Sequence, residues 1–162
     1  SPLRGETFVT RKITRAVASI YLNKQKKMWL GNLNAKRDWG HAKDYVEGMW
    51  KIMQHSSPED FVLATGKSKT VREFCEIAFN EVNIEIEWQG SGKSEIGINK
   101  KNGQTLIEID EKYFRPTEVN YLQGDPSKAK RLLNWEPKIT IKEMISEMVK
   151  EDIQTIKNEI TQ

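Results

Sequence analysis

The sequence predicts a mixed α/β fold, and three observations carry that expectation. Phe61-Val62-Leu63-Ala64 is an unbroken apolar run closed by Gly66, the pattern of a strand covered on both faces, as in a parallel sheet. Thr70-Val71-Arg72-Glu73 and Thr140-Ile141-Lys142-Glu143 are capping boxes, each followed by an apolar stripe of helical period. Ile84, Ile86 and Trp88 alternate with Glu85 and Glu87, which is the period of a half-buried strand.

The elements follow in chain order. Apolar residues at Val9, Ile13, Ala16, Val17 and Ile20 predict a helix over 8–24, with Thr7 or Thr10 as its cap. On a helical wheel Arg11 and Arg15 point away from that stripe and read as ordinary solvated positions, whereas Lys12 lies on its flank, able to lean into a cleft. Met28-Trp29-Leu30 reads as a short buried strand before the turn-rich Gly31-Asn32-Leu33-Asn34. Ala42, Tyr45, Val46, Met49 and Met53 share one face of a second helix that runs to His55, where Ser56-Ser57-Pro58 stops it. The third helix opens at Thr70 and buries Phe74, Cys75, Ala78 and Phe79. Two strands, 84–88 and 106–109, flank a polar loop. Asp125-Pro126 opens a short helix ended by Trp135-Glu136-Pro137, and the last helix starts at the second capping box. The expectation is about five helices and four or five short strands.

Composition excludes several classes. A chain of 162 residues is one domain by default and buries roughly 70% of the surface its unfolded form exposes. One cysteine cannot form an internal disulfide, and Cys75 fits a reducing compartment. Hydrophobic content of 37% and five Trp argue against intrinsic disorder. A net charge of +3 gives no overall field for a polyanion. No run reaches the length of a membrane span, and Ser1-Pro2-Leu3-Arg4-Gly5 lacks the regions of a signal peptide. The chain begins without Met in what reads as a loop, so it is expected to be a piece of something longer.

No catalytic or metal motif in the sequence is complete. Gly90-Ser91-Gly92-Lys93-Ser94 has Glu87 where a phosphate-cradling loop needs its first glycine, and no helical stripe follows, so a hairpin loop is expected. No G-x-G-x-x-G occurs. His41 and His55 are too far apart for a helical metal pair, and no metal site is expected. What stands out is a scatter of basic residues in unusual settings: Arg4 beside Gly5, Lys12 on a helix flank, Arg37 before Asp38-Trp39-Gly40-His41, and Arg115-Pro116 with Glu118. Arginine suits bidentate grip on phosphate or carboxylate, so cations on separate segments can converge on one dianion.

At these residues the sequence resembles the GDP-mannose 4,6-dehydratase family. The resemblance runs through Ser1 to Lys12, Leu30 to Tyr45, Ala64-Thr65-Gly66, Thr70 to Phe74, Tyr113-Phe114-Arg115-Pro116-Thr117-Glu118-Val119, Gly124-Asp125-Pro126 and Leu133 to Pro137. The stretch from Arg37 to Tyr45 is its most specific part, and 93–104 is least like the family. The resemblance implies an α/β, Rossmann-type extended short-chain dehydrogenase/reductase. It implies an NADP-dependent lyase that converts GDP-mannose to GDP-4-dehydro-6-deoxy-mannose, towards GDP-fucose and other GDP-deoxyhexoses. Residues 1–162 correspond to the C-terminal nucleotide-sugar-binding portion, with a few elements of an incomplete nucleotide-binding sheet. By the same resemblance, the N-terminal Rossmann cofactor domain is expected to be absent from the chain.

The family's Tyr-x-x-x-Lys pair would lie upstream. Here the residues four after Tyr21, Tyr45, Tyr113 and Tyr121 are Gln25, Met49, Thr117 and Asp125, so no catalytic residue is expected in this chain. By resemblance, Arg4 is cofactor-binding, Val9 and Lys12 face the GDP part of the substrate, Arg37 and Arg115 hold the pyrophosphate, and Glu118 holds the ribose. The whole enzyme is expected to be a cytoplasmic homo-oligomer with neither nucleic-acid nor membrane partner. Two rivals remain at this point: a nucleotide-sugar 4-reductase or epimerase of the same superfamily, and a nucleic-acid-binding module using Arg11, Lys12 and Arg15. A last expectation is an exposed apolar patch, or a buried contact with another chain, around 61–64 and the Tyr45 to Met53 helix, because such a strand needs neighbours on its edges.

Overall fold

A computed structural model of the chain describes residues 1–114 and 117–161. Within them are five α-helices and seven short strands, the strands forming two small sheets, with three of the helices sharing a core with the larger one.

The larger sheet has the order β1-β6-β5-β4 and combines one parallel and two antiparallel pairings. β1 (Met28–Leu30) runs parallel to β6 (Thr105–Ile109), with Met28 opposite Ile107 and Leu30 opposite Ile109. β5 (Ile96–Asn99) lies antiparallel between β6 and β4 (Ile86–Gln89). Sequence reading places three of these four strands and misses β5, whose Ile96-Gly97-Ile98 is short and follows Gly92, a residue at positive φ. Gly92–Ser94 forms one 3₁₀ turn in the β4–β5 connection, a hairpin loop as expected, and Lys93 pairs with Glu111 at 2.8 Å.

Helices α1 (Val9–Tyr21), α3 (Val71–Asn80) and α5 (Ile141–Thr161) pack on one another and on this sheet. Phe74, Phe79, Ile13, Met148 and Ile107 are fully buried at the centre. Both capping boxes form. Glu73 N–H donates to Thr70 Oγ1 at 3.0 Å while Thr70 N–H donates to Glu73 Oε2 at 2.8 Å, and Thr140 with Glu143 repeats the exchange. These caps satisfy helix-end amides that would otherwise lack partners. Cys75 is buried on α3, and burial pushes its thiol up, as an inert packing residue requires.

Three sequence expectations need correction. Neither Thr7 nor Thr10 caps α1: Phe8 occupies the cap position without a side-chain bond, and Thr10 is already inside the helix and buried. Arg11 and Arg15 are not ordinary solvated positions. Arg11 Nε donates to Asp152 Oδ1 at 2.6 Å, and Arg15 reaches Glu6 and Glu159 at 3.2 and 3.6 Å. The reason is that α5 packs along α1 and brings its acidic side against these guanidinium groups. This also removes the cationic face that a nucleic-acid-binding reading needs. Finally, Phe61–Ala64 is no strand: the segment makes no ladder with any described residue. An apolar run becomes a strand only when a partner backbone lies alongside.

The smaller sheet, β3-β2-β7, places Arg37 in its middle strand. β2 (Lys36–Arg37) pairs antiparallel with β3 (Lys69–Thr70) and parallel with β7 (Tyr121–Leu122). Beside it, α2 (Ala42–Gln54) buries Asp44 and Gly48 beneath Trp135, while α4 (Ser127–Leu133) follows Asp125, whose carboxylate accepts from Ser127 N–H at 2.9 Å. The outer face of α2 is bare. Val46, Met49, Trp50 and Met53 are each more than half exposed, Met53 to 79%, and so is Val62 nearby.

Candidate functional site

Three segments meet at a cavity of about 480 Å³ beside the start of α1. The first turns of α1 supply Val9 and Lys12, the Gly31 turn and β2 supply Asn32 and Arg37, and the segment after β6 supplies Tyr113 and Glu118. Helical period explains the α1 contribution: Val9 and Lys12 are three apart and share one side of the helix.

The Gly31 turn is held close to the Tyr113 segment. A Cβ at Gly31 would lie 2.5 Å from the Tyr113 carbonyl oxygen, so only glycine permits this approach. Tyr113 is thereby set across the cavity from α1, with the Lys12 ammonium 3.2 Å from its ring centroid. Burial lowers the Lys12 pKa, and the tyrosine partly opposes that shift. Arg37 is fixed by two bonds. One donates to Glu118 Oε1 at 2.7 Å and the other to the Lys36 carbonyl at 2.8 Å. Val9 and Lys12, Arg37 and Glu118, from three segments far apart in sequence, therefore border one space. Arg115 lies outside the described residues, and so does the question of its distance from Arg37.

Arg4 faces a second cavity of about 300 Å³, shared with Phe8, Trp39 and Tyr45. Its guanidinium carbon is 3.5 Å from the Phe8 ring centroid. Val9 lines both cavities and forms the wall between them. Burial, reinforced by Asp38 and Asp44, pushes the Tyr45 hydroxyl up to about 12, so it stays a phenol at neutral pH and cannot serve as a base. Asp38 ties this region together. Its carboxylate accepts from Thr65 N–H and Oγ1 at 3.0 and 2.5 Å and from Gly66 N–H at 2.9 Å.

Sequence reading missed Tyr113, Asn32 and Glu6 as cavity residues. The available signal was their position: Asn32 stands in the turn after β1, and Tyr113 two residues before the Arg115-Pro116 pair. Chemically, the larger cavity offers two cations, an aromatic face and two carboxylates, a set suited to a ligand carrying phosphate, a ring and hydroxyl groups.

The fold is shared with larger proteins. RMD from Pseudomonas aeruginosa, in a structure complexed with NADPH, superimposes with a TM-score of 0.77 at 17% identity, over 96% of this chain and 46% of that one. The dTDP-glucose 4,6-dehydratase of Bacillus anthracis gives 0.69 at 19% identity, over 98% of this chain and 42% of its own. The fold class is thus the mixed α/β one that these two larger proteins share with the chain. Residues 1–148 match the family model described as GDP-mannose 4,6 dehydratase. The chain is 55% identical to the GDP-mannose 4,6 dehydratase of Dictyostelium discoideum over 98% of its length and 52% identical to that of Homo sapiens over 97%. It belongs to the GDP-mannose 4,6-dehydratase family. It spans 44% and 42% of the length of those two relatives.

Proposed function

We propose that this chain is the nucleotide-sugar-binding, C-terminal portion of an NADP-dependent GDP-mannose 4,6-dehydratase. The observation that carries the reading is the convergence of Lys12, Arg37 and Glu118 on the Val9 wall of one cavity. Two cations neutralise most of a diphosphate's charge, and Glu118 accepts sugar hydroxyls, which neither cation can do. Val9 and Tyr113 supply apolar surface for the base. The reaction oxidises C4 of the mannose, removes water across C5 and C6 and returns the hydride to C6. NADP takes and gives back that hydride when bound. In this chain Arg4 contributes to holding the cofactor from the second cavity, and the remaining residues hold the GDP moiety so that the sugar reaches the wall at Val9.

The acid, base and nicotinamide contacts are assigned to a cofactor-binding portion outside these 162 residues. The absence of any Tyr-x-x-x-Lys pair supports this assignment. Support for the domain boundary comes from the bare face of α2 and the unpaired Phe61–Ala64 run, which suit packing on the missing sheet. The reading includes a cytoplasmic homo-oligomer, carried by the family resemblance.

Calorimetric titration with GDP tests the site. Saturable binding is expected, and Arg37→Ala is expected to weaken it by at least about tenfold, since a charge-assisted phosphate contact is lost. The chain alone is expected to give no 4-keto product from GDP-mannose and NADP. Absence of GDP binding, or turnover above a blank, overturns the reading. The bare face gives a further expected result. Trp50→Glu with Met53→Lys should reduce self-association in sedimentation velocity while leaving the urea midpoint nearly unchanged, because both side chains are already in water.

A further inference from the structure

Building on the proposed diphosphate and ribose site, we infer that the Arg37–Glu118 ion pair is a latch. A ligand opens it only by supplying both an anion for Arg37 and hydroxyl donors for Glu118. The two side chains meet at 2.7 Å with 22% and 21% of their surfaces exposed, inside the cavity both of them line. Among the described residues Arg37 is the only partner of the Glu118 carboxylate. An anion that captures Arg37 alone takes from a largely covered carboxylate its partner among the described residues, and that loss offsets much of the gain from the new contact. A ligand with an adjacent pair of hydroxyls removes the loss by donating to Glu118. The ion pair therefore converts two separate recognition events into one coupled event.

Neighbouring charges behave differently, which makes the effect specific to this pair. Lys12 rests on the Tyr113 ring, forms no ion pair within 4 Å among the described residues, and turns to an anion without breaking one. Glu6 lines the same cavity but pairs with Arg15 at 3.2 Å rather than with Arg37. Removing the Glu6 charge thus measures the general effect of a less negative cavity. Removing the Glu118 charge measures that effect plus the release of Arg37.

The test uses pyrophosphate, guanosine and GDP as probes of this chain in calorimetry. Glu118→Gln is expected to bind pyrophosphate roughly tenfold more tightly than the unmodified chain and GDP more weakly, whereas Glu6→Gln changes pyrophosphate affinity by less than about threefold. A second measurement needs no variant. Saturating guanosine is expected to raise pyrophosphate affinity about fivefold, because the two share the latch, while 2′,3′-dideoxyguanosine leaves it unchanged. Equal pyrophosphate affinities in the unmodified and Glu118→Gln chains, or the same gain in Glu6→Gln, overturn the latch, as does independent binding of guanosine and pyrophosphate. If GDP itself does not bind, the site reading fails and the latch fails with it. If GDP binds without this coupling, only the latch fails.

Discussion

Asp152→Ala is expected to destabilise the chain by about 3–5 kcal/mol, because it leaves the largely buried Arg11 guanidinium without its counter-ion. Asp152 is fully buried in α5. It accepts from Arg11 Nε and Thr14 Oγ1, both at 2.6 Å, and so bolts α5 to α1 through charged and neutral bonds at once. Burial raises the Asp152 carboxyl above the ordinary aspartate range, against the pull of Thr14 and Arg11. Replacing the whole group should therefore cost little. The triple variant Arg11→Met, Thr14→Val, Asp152→Leu is expected to regain most of the lost stability at pH 7. A carboxyl whose folded-state pKa is raised contributes most below its unfolded value and loses that contribution as pH rises through the folded one. The unmodified chain should accordingly gain on the triple variant as pH falls towards 4. Urea midpoints of the three proteins at two pH values check each statement. Arg15→Ala, whose partners Glu6 and Glu159 are mostly exposed, should change the midpoint by under about 1 kcal/mol.

Trp135→Ala is expected to cost about 3–5 kcal/mol as well, by a different route, since it opens a cavity the surrounding helices cannot close. Trp135 is 1% exposed, and its Nε1 donates to the Asp44 carbonyl at 2.8 Å. Its ring lies 6.3 Å from that of Tyr45. It also sits against Gly48, where an added Cβ would come within 3.0 Å of Nε1. The indole thus fixes α2 against the chain leading into α5, where Asp44 Oδ2 accepts from Lys138 and Ile139 N–H at 3.1 and 3.0 Å. Trp135→Phe keeps most of the apolar volume and loses the hydrogen bond, so about 1–2 kcal/mol is expected. A midpoint for Trp135→Ala within about 1 kcal/mol of the unmodified chain would show that this packing is dispensable.

Local rules made much of the fold legible. A capping box is a bond exchanged within four residues, and both boxes form where the sequence places them. Helices of strong period, such as α3, agree with expectation to within a few residues because their apolar stripe meets a complete core. The part of the site written in charge was also readable in outline: Lys12 on the flank of α1 leans into the cavity, and Arg37 borders the same space. The bolt through Asp152 was not read, although its phase was visible. Asp152 follows Ile145 and Val149 at helical spacing and so falls on the buried stripe of α5, but an acidic residue there makes sense only once Arg11 is known to lie opposite.

By itself, the sequence determined the helices, the two capping boxes, the β1 and β6 strands, the inert burial of Cys75 and the choice of Lys12 and Arg37 as candidate cations. Each of these depends on interactions within one element or on the solvation of one side chain. Only the tertiary structure decided that β5 intervenes between β4 and β6, that Phe61–Ala64 has no ladder, that Arg11 is a buried partner, and that Tyr113 and Glu118 face Lys12 and Arg37 across one cavity. Those outcomes depend on which backbone or counter-charge arrives from a distant segment, and a strand edge, a buried ion or a cavity wall has no fixed state until that neighbour is in place.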